Sequence, residues 1–183
     1  MPDSGDGPSD ILWQDTSGDV AIWQMNGLSV AASAIVESAV PSNWTIRGTG
    51  DFTGDDKSDI LWQDTSGDVA IWEMNGLSVA ASAVVGFADP STWHIEGIGD
   101  FNGDGKSDIL WRDTSGDVAV WEMNGFSLTA SAIVEPAVPS NWSIVPPDNT
   151  GDTTAAAAAA SAASSVPLPA GPPPTGPPIH TFG

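Results

Sequence analysis

Short apolar runs alternate with polar, glycine-containing turns along most of the chain. In its middle part, Ile60–Gln63 and Val69–Met74 are runs of β-branched and aromatic residues, separated by the polar segment Asp64–Asp68. Asn75-Gly76, a pair that tolerates positive φ, then precedes Leu77–Val85. Strand-forming runs joined by such turns predict consecutive antiparallel hairpins.

A fourth strand is predicted after these three. Trp93–Gly99 alternates apolar and polar residues and then becomes glycine-rich, which is typical of a strand in tight surroundings. Leu77–Val85 carries small or apolar residues on both faces, so we expect both faces of its sheet to be covered. Each unit is therefore predicted to hold four antiparallel strands.

The pattern repeats every 49 residues, and all nine tryptophans fall on three repeated positions. They are Trp13, Trp62 and Trp111; Trp23, Trp72 and Trp121; and Trp44, Trp93 and Trp142. A period of this length predicts an all-β fold of three four-stranded antiparallel β-propeller blades, with a β-solenoid as the alternative. The tryptophans are interpreted as interior packing between blades. The alternative is a set of sugar-stacking platforms, which requires at least one of the three Trp sets to face solvent.

Composition narrows the classes of partner. Four Lys and Arg against 24 Asp and Glu give a formal net charge of -20, which repels nucleic acid and anionic membranes and attracts divalent cations or basic partners. No window approaches the apolar length of a membrane-spanning helix, and Met1–Asp10 has no signal-peptide pattern. The absence of cysteine excludes disulfides and zinc–thiolate sites.

The acid residues concentrate in a loop before the first strand of each copy, most completely at Asp100–Asp108. Oxygen-bearing side chains at loop positions 1, 3, 5 and 9, with glycines at 4 and 6, predict a loop that curls around one hard cation, Ca²⁺. The predicted ligands are Asp100, Asn102, Asp104, Asp108 and the backbone carbonyl of Lys106. Trp111 stands where an EF-hand has its bidentate glutamate, so this is a calcium loop between strands.

The other two loops are altered copies. The second offers Asp51, Thr53, Asp55, Asp59 and the carbonyl of Lys57. It has Asp56 where glycine fits most easily, so we expect weaker or more strained binding. The first has Pro2 in place of the first ligand and keeps only Asp6 and Asp10, half a site. The alternative interpretation is Asx-turn chemistry, which also fits the hairpin turn Asp15–Asp19 and its copies.

The segment GDFNGDGKSDILW, residues 99–111, resembles the FG-GAP/VCBS-type repeat of bacterial surface and secreted proteins and is similar to the calcium loops of integrin α-chain propellers. The resemblance covers nearly all of residues 2–153. It implies a β-propeller with Ca²⁺ in the strand-connecting loops, extracellular or cell-surface placement, and adhesion or ligand binding. It also implies that the strand before each loop is innermost, which makes Gly97–Gly99 a crowded axial segment.

Three blades are too few to close a ring in that family, so the chain is either a fragment or part of an oligomer. If the repeat is divided into blades as in that family, the chain begins at the second strand of a blade and ends with a lone first strand, Trp142–Val145. Asp148–Asp152 follows as the opening half of a fourth loop, and Pro146-Pro147 replaces the Gly-x-Gly of the other copies. Two chains forming a six-bladed ring is one hypothesis, and an incomplete gene product is the other.

Two regions are expected from composition. Residues 1–153 hold the repeats, at about 1–50, 51–99 and 100–148, and residues 154–183 form an Ala/Pro-rich disordered tail. Because His94 and His180 are the only imidazoles and neither recurs in the repeat, no general base is evident and we expect no enzyme activity. We expect a calcium-dependent, lectin-like adhesion module for a protein or carbohydrate ligand. The alternative is a structural spacer or a fragment of a larger secreted surface protein.

Overall fold

Eleven β-strands and no helix make up residues 9–147, the part of the chain that the computed structural model describes. Asp6, Asp148–Asp152 and the tail at 154–183 lie outside the described residues. The prediction of an all-β fold is confirmed. Among residues 9–147 there is no helix that is long and apolar enough to cross a membrane.

The strands form three antiparallel sheets. The first has the order β1-β2-β3, with strands Ile11–Gln14, Val20–Asn26 and Ser29–Glu37. The second has the order β4-β5-β6-β7, with strands Trp44–Gly50, Asp59–Asp64, Asp68–Asn75 and Ser78–Phe87. The third has the order β8-β9-β10-β11, with strands Trp93–Gly99, Asp108–Asp113, Val118–Asn124 and Ser127–Glu135.

The predicted assignment of strands to units is wrong in one respect. Trp93–Gly99 does not complete the sheet formed by the preceding three strands but pairs with β9 of the third sheet, with Ile95 opposite Trp111. The second and third acidic loops therefore each connect the first and second strands of one sheet, which agrees with the division of the repeat that the resemblance implies. As a result the first sheet has three strands among the described residues, not four.

The predicted lone strand at Trp142–Val145 pairs with no other strand among the described residues, so it is not part of a sheet. The described part of the chain offers no further strand edge beside them, and an unpaired strand has no ladder to join. The segment is held in another way. The guanidinium of Arg112 donates hydrogen bonds to the backbone oxygens of Trp142 (2.7 Å), Val138 (3.0 Å) and Pro139 (3.2 Å).

Each sheet has two unlike faces, because side chains alternate along a strand. In the second sheet the face that we call the aromatic face carries Ile60, Trp62, Ala70, Trp72 and Met74. The opposite, aliphatic face carries Leu61, Val69 and Ile71. Residues 49 positions earlier and later form the same two faces on the first and third sheets.

The sheets stack with an aromatic face on an aliphatic face. The aromatic face of the second sheet packs on Val20 and Ile22 of the first, and the aromatic face of the third, with Trp111 and Trp121, packs on the aliphatic face of the second. Trp62 and Trp111 are each only 1% exposed, which confirms interior packing for these two tryptophans. A large buried aromatic side chain contributes more apolar area than any other residue, so these two interfaces dominate the core.

Glycines let the sheets approach each other at strands β4 and β8. A Cβ atom on Gly48 would lie 2.7 Å from Cδ1 of Ile98, and one on Gly50 would lie 2.7 Å from Cγ2 of Ile98 and 2.6 Å from Oγ of Ser107. Real Cβ atoms do not approach other heavy atoms so closely, so only glycine fits. Gly97–Gly99, the segment predicted to be crowded, contributes Ile98 to this contact, and Cβ atoms on Gly97 and Gly99 would meet Pro147 at 2.8 Å and 3.0 Å.

This crowding predicts unequal effects for two equivalent substitutions. Gly50→Ala should lower the free energy of unfolding by about 1–3 kcal/mol, the usual cost of overpacking a core. Gly99→Ala, 49 residues later, should cost less, because its Cβ would meet Cγ of Pro147 at 3.0 Å. Pro147 belongs to a segment outside any sheet, which can shift more readily. Urea unfolding of both variants measures the difference, and equal losses would contradict this account of the packing.

Candidate metal loops and an aromatic cleft

The third acidic loop is curled around the carboxylate of its first residue. The backbone N–H groups of Gly103 (2.6 Å) and Asp104 (3.2 Å) donate to Oδ1 of Asp100, and that of Gly105 (3.0 Å) donates to Oδ2. Oδ1 of Asn102 accepts a further bond from the Asp104 amide (2.9 Å). The loop is thus held in a tight turn by its own oxygen-bearing side chains.

The last residue of this loop is buried beneath it. Oδ1 of Asp108 accepts from the backbone N–H of Met123 (2.9 Å), and Oδ2 accepts from that of Phe101 (3.0 Å). A bulge between Glu122 and Met123 shifts the strand register just before this amide. Asp108 therefore fastens the loop to the second hairpin of its sheet, a structural role separate from metal binding.

The other two sheets repeat this fastening. Asp59 accepts from Met74 (3.0 Å) and Phe52 (3.1 Å), and Oδ1 of Asp10 accepts from Met25 (2.9 Å). Oδ2 of Asp10 is buried and has no hydrogen-bond partner among residues 9–147. The sequence analysis missed this role. The signal that could have revealed it is the fixed 15-residue spacing between this aspartate and the methionine of the following strand.

The second loop has the same plan with two differences. Asp51 accepts from the amides of Gly54 (2.6 Å), Asp55 (3.2 Å) and Asp56 (2.8 Å). Asp56 has a φ of 62°, in the left-handed region where the third loop has a glycine, so the expected strain is present. In addition, Nζ of Lys57 lies 2.7 Å from Oδ2 of Asp55, a closer ion pair than the 3.9 Å between Lys106 and Asp104 in the third loop.

Two backbone hydrogen bonds dock the second loop on the third sheet. The N–H of Ser107 donates to the carbonyl oxygen of Asp51 (2.6 Å), and that of Gly125 donates to the carbonyl oxygen of Phe52 (2.8 Å). Phe52 is fully buried in the interface between the second and third sheets. Its equivalent in the third loop, Phe101, is 43% exposed. The difference arises because no further sheet follows the third in the described residues.

Mutual repulsion of carboxylates is visible in the pKa values. Burial of Asp59, together with the charges of Asp51 and Asp55, raises the pKa of its carboxyl to about 7, against the hydrogen bonds that favour the charged form. Burial likewise raises the pKa of Asp108, and the charges of Asp104 and Asp100 add to the effect. The loops therefore hold negative charge at a cost that a cation would relieve.

The side chains of the loops do not converge on one point. Among residues 9–147, no three carboxylate or imidazole groups are arranged as a metal centre. Still, the donors of the third loop are hard oxygens of the kind that Ca²⁺ takes, and Oδ2 of Asp100 and both carboxylate oxygens of Asp108 each accept only one backbone bond and keep a second lone pair. The chemistry of the third loop fits Ca²⁺, and the set comprises Asp100, Asn102, Asp104 and Asp108.

The hairpin turns contain acids with a different role. Oδ1 of Asp64 accepts from the amides of Ser66 (2.9 Å), Gly67 (2.8 Å) and Asp68 (2.9 Å), and Asp15 and Asp113 do the same in their turns. These are Asx turns, as the alternative interpretation proposed for this part of the repeat.

A cleft of about 290 Å³ opens between the first and second sheets. Its walls include the rings of Trp44, Trp62 and Trp72, with Glu37 at one side. Nε1 of Trp62 is buried without a hydrogen-bond partner. At the equivalent place between the second and third sheets, Gly86 replaces Glu37 and the ring of Trp121 lies against it, since a Cβ there would be 2.7 Å from Cζ3.

Comparison with protein-family models, with curated proteins and with solved structures finds no match for this chain. The resemblance to FG-GAP/VCBS-type repeats therefore remains an interpretation of the loop motif.

The pKa of Asp59 predicts an unusual pH dependence in metal-free buffer. The folded state, with a pKa of about 7, binds a proton that the unfolded state releases near pH 4, so stability should fall as pH rises between these values. For wild type the slope of the free energy of unfolding should approach ~1 kcal/mol per pH unit from this residue. Asp59→Asn should remove that slope.

Asp64→Asn is the control for this experiment. Although burial alone would raise the pKa of Asp64, hydrogen bonds from the turn amides lower it below the ordinary value, so it titrates at more acidic pH. Its replacement should leave the slope between about pH 5 and pH 7 unchanged and affect stability only under more acidic conditions. Urea unfolding in EDTA over this range makes the comparison, and identical slopes for wild type and Asp59→Asn would refute the prediction.

Proposed function

We propose that this chain is a calcium-stabilised binding module of β-propeller type that acts outside the cell, with its three sheets as consecutive blades. The geometry of the third acidic loop carries this proposal. Asp100, Asn102 and Asp104 lie in one turn whose backbone is folded around the carboxylate of Asp100, and Asp108 is buried beneath that turn. The closest approach of the glycine-rich strands β4 and β8 supports a radial arrangement of the sheets.

Electrostatics supports a cation in these loops. The chain has a formal net charge of -20, and burial together with the nearby charges of Asp104 and Asp100 raises the pKa of Asp108. Bound Ca²⁺ would neutralise them and hold the loop against the sheet, while Asp108 fixes the loop from below. Short exposed loops of this kind bind with Kd values on the order of 10⁻⁴ to 10⁻³ M, which suits the millimolar calcium outside cells.

Calcium should therefore stabilise the fold through the third loop. For one site with a Kd of ~1 mM, ~10 mM Ca²⁺ should add about 1.4 kcal/mol to the free energy of unfolding. Asp104→Ala should lose this gain, because Asp104 is exposed and its side chain bonds only within the loop, to Lys106. Urea unfolding with and without CaCl₂, with isothermal titration calorimetry, measures both quantities.

Asp15→Ala serves as the control variant, since Asp15 is an exposed acid whose bonds lie within a hairpin turn. It should keep the full response to calcium, and MgCl₂ should replace CaCl₂ poorly. A calcium response that survives in Asp104→Ala would place the ion elsewhere, and no response in wild type would refute calcium binding.

The aromatic cleft is the best-supported place for a ligand, and we propose a carbohydrate there. Trp44 and Trp72 offer flat apolar surfaces on which the C–H face of a sugar ring stacks, and Glu37 offers an acceptor for its hydroxyl groups. The volume of about 290 Å³ is at the lower end of small-ligand sites and suits one or two sugar units. A protein ligand remains the other candidate from the sequence.

Binding to a glycan array in calcium and in EGTA tests this assignment. Trp44→Ala should reduce binding to any recognised sugar by roughly 10-fold or more, the effect of losing one stacking platform. Trp93→Ala removes the equivalent ring, which packs against the core between the second and third sheets, and should leave sugar affinity unchanged in folded protein. Equal losses in both variants would exclude the cleft.

A structural role is the second candidate, and one observation favours it. Trp13 and Trp23 of the first sheet are 47% and 39% exposed, so this aromatic face lacks a neighbour. An array segment within a larger assembly would cover it. Absence of binding to every glycan and protein surface tested, together with calcium-dependent stability, would favour this role over ligand binding.

A further inference from the structure

The aromatic face of the first sheet is uncovered. Its members Trp13 (47% exposed), Leu28 (104%) and Val30 (45%) face solvent. Their equivalents in the second sheet, Trp62, Leu77 and Val79, all pack against the first sheet. Their equivalents in the third sheet, Trp111, Phe126 and Leu128, all pack against the second. Such an exposed apolar face is typical of an interface that lacks its partner, and not of a surface that remains in contact with solvent.

The opposite end of the stack is only partly covered by the described residues. On the aliphatic face of the third sheet, Leu110 is 8% exposed and Val118 and Val120 are half-buried, whereas the equivalent Leu61, Val69 and Ile71, which the third sheet covers, are fully buried. Beside it Phe101 is 43% and Val134 56% exposed. The equivalent Phe52 is fully buried.

We propose that these two ends bind each other in different copies of the chain. The aromatic face of the first sheet of one copy packs on the aliphatic face of the third sheet of the next, head to tail. Inside the chain, this same pairing of faces occurs twice, between the first and second and between the second and third sheets. A second copy is the partner whose surface matches residue by residue.

The segment after the third sheet supplies a further part of this interface. Trp142 and Pro147 stand 49 residues after Trp93 and Ile98, the first and the last-but-one residues of the first strand of the third sheet. Pro147 also lies at the position that the 49-residue spacing from Ile98 predicts. It contacts the positions of Gly97 (2.8 Å from a built Cβ) and Gly99 (3.0 Å), as Ile98 contacts Gly48 and Gly50.

Residues 142–147 therefore occupy the place of the first strand of a following sheet. The first sheet of a second copy lacks that strand and presents the edge of β1, which pairs only with β2 in the described residues. Strand addition to this edge would complete a four-stranded sheet across the two chains. Proline fits here because the strand would be at the edge of the sheet.

Arg112 is a positioning residue for this segment. Its guanidinium holds the carbonyl groups of Val138, Pro139 and Trp142, which fixes the start of residues 142–147. The equivalent residues in the first and second sheets are Gln14 and Gln63, which precede strands that continue into a sheet of the same chain. The arginine thus occurs only in the copy whose next strand has no sheet to join.

The net negative charge of the chain opposes this association, so the experiment requires high ionic strength. Two copies that each carry a formal charge of -20 repel at low ionic strength, so roughly 0.5 M NaCl, where the screening length is only a few ångström, favours contact. The faces contain no predicted calcium ligand. The inference does not rest on calcium or sugar binding, and measurements in EDTA separate it from the proposed function.

Sedimentation velocity of the full chain, in high salt with EDTA over a range of concentrations, tests the proposal. Wild type should form species larger than a monomer. Trp13→Glu disables the aromatic end and Phe101→Asp disables the aliphatic end, and each should raise the apparent Kd roughly 30-fold or more. A 1:1 mixture of the two variants should form a dimer that does not grow, because each contributes its one intact end.

Four outcomes decide between these possibilities. Recovery of the dimer in the mixture shows that both variants fold and that the contact is head to tail. A monomeric wild type overturns the proposal, and binding of sugars to the exposed tryptophans would not change that result. Val84→Ser, at a residue 59% exposed but in the middle sheet, should leave association unchanged. Arg112→Gln should weaken it roughly 10-fold, and an unchanged Kd overturns the contribution of residues 142–147.

Discussion

The contact between an aromatic face and the aliphatic face of the preceding sheet is the interaction on which the rest of this structure depends. A sheet of three or four strands cannot bury its apolar residues alone, so each sheet needs a neighbour. Trp62 and Trp111 provide that contact and are almost completely buried. The close approach of Gly50 to Ile98 follows from it, because only glycine lets the two sheets come near enough for the tryptophans to be covered.

Buried aspartates tie the acidic loops to this framework. Asp59 and Asp108 each accept two backbone N–H bonds at a β-bulge, so they are needed for the fold whether or not an ion is present. This dual demand explains why Asp10 remains in the first copy, where Pro2 has replaced the opening ligand. Its bond to Met25 fastens the sheet. An acidic repeat can thus keep part of its charge for packing and part for a ligand.

The hairpins, the 49-residue period and the packing of the inner tryptophans could be predicted from local sequence, because strand propensity, turn residues and spacing determine them. The pairing of Trp93–Gly99 with the following sheet could not be predicted, because the same strand can pair equally well with the preceding or the following sheet. The fold-fastening role of Asp108 was hidden because the same residue type also suits calcium. The cleft forms where Glu37 occupies the position that Gly86 holds 49 residues later. This difference affects the space between sheets only when two sheets are stacked, so local sequence does not reveal the cleft.

Repetition of a unit with two unlike faces necessarily leaves one face of each kind at the ends of the stack. Contacts of this kind are heterologous, and they end only when the rotation between units closes a ring or when an end is capped. The chain has no helix or polar strand over Trp13 among its described residues, and its third sheet ends with Arg112 holding a segment in the place of a further strand. Neither end is built as a cap, so the surface that stabilises the interior is also the surface left available for assembly.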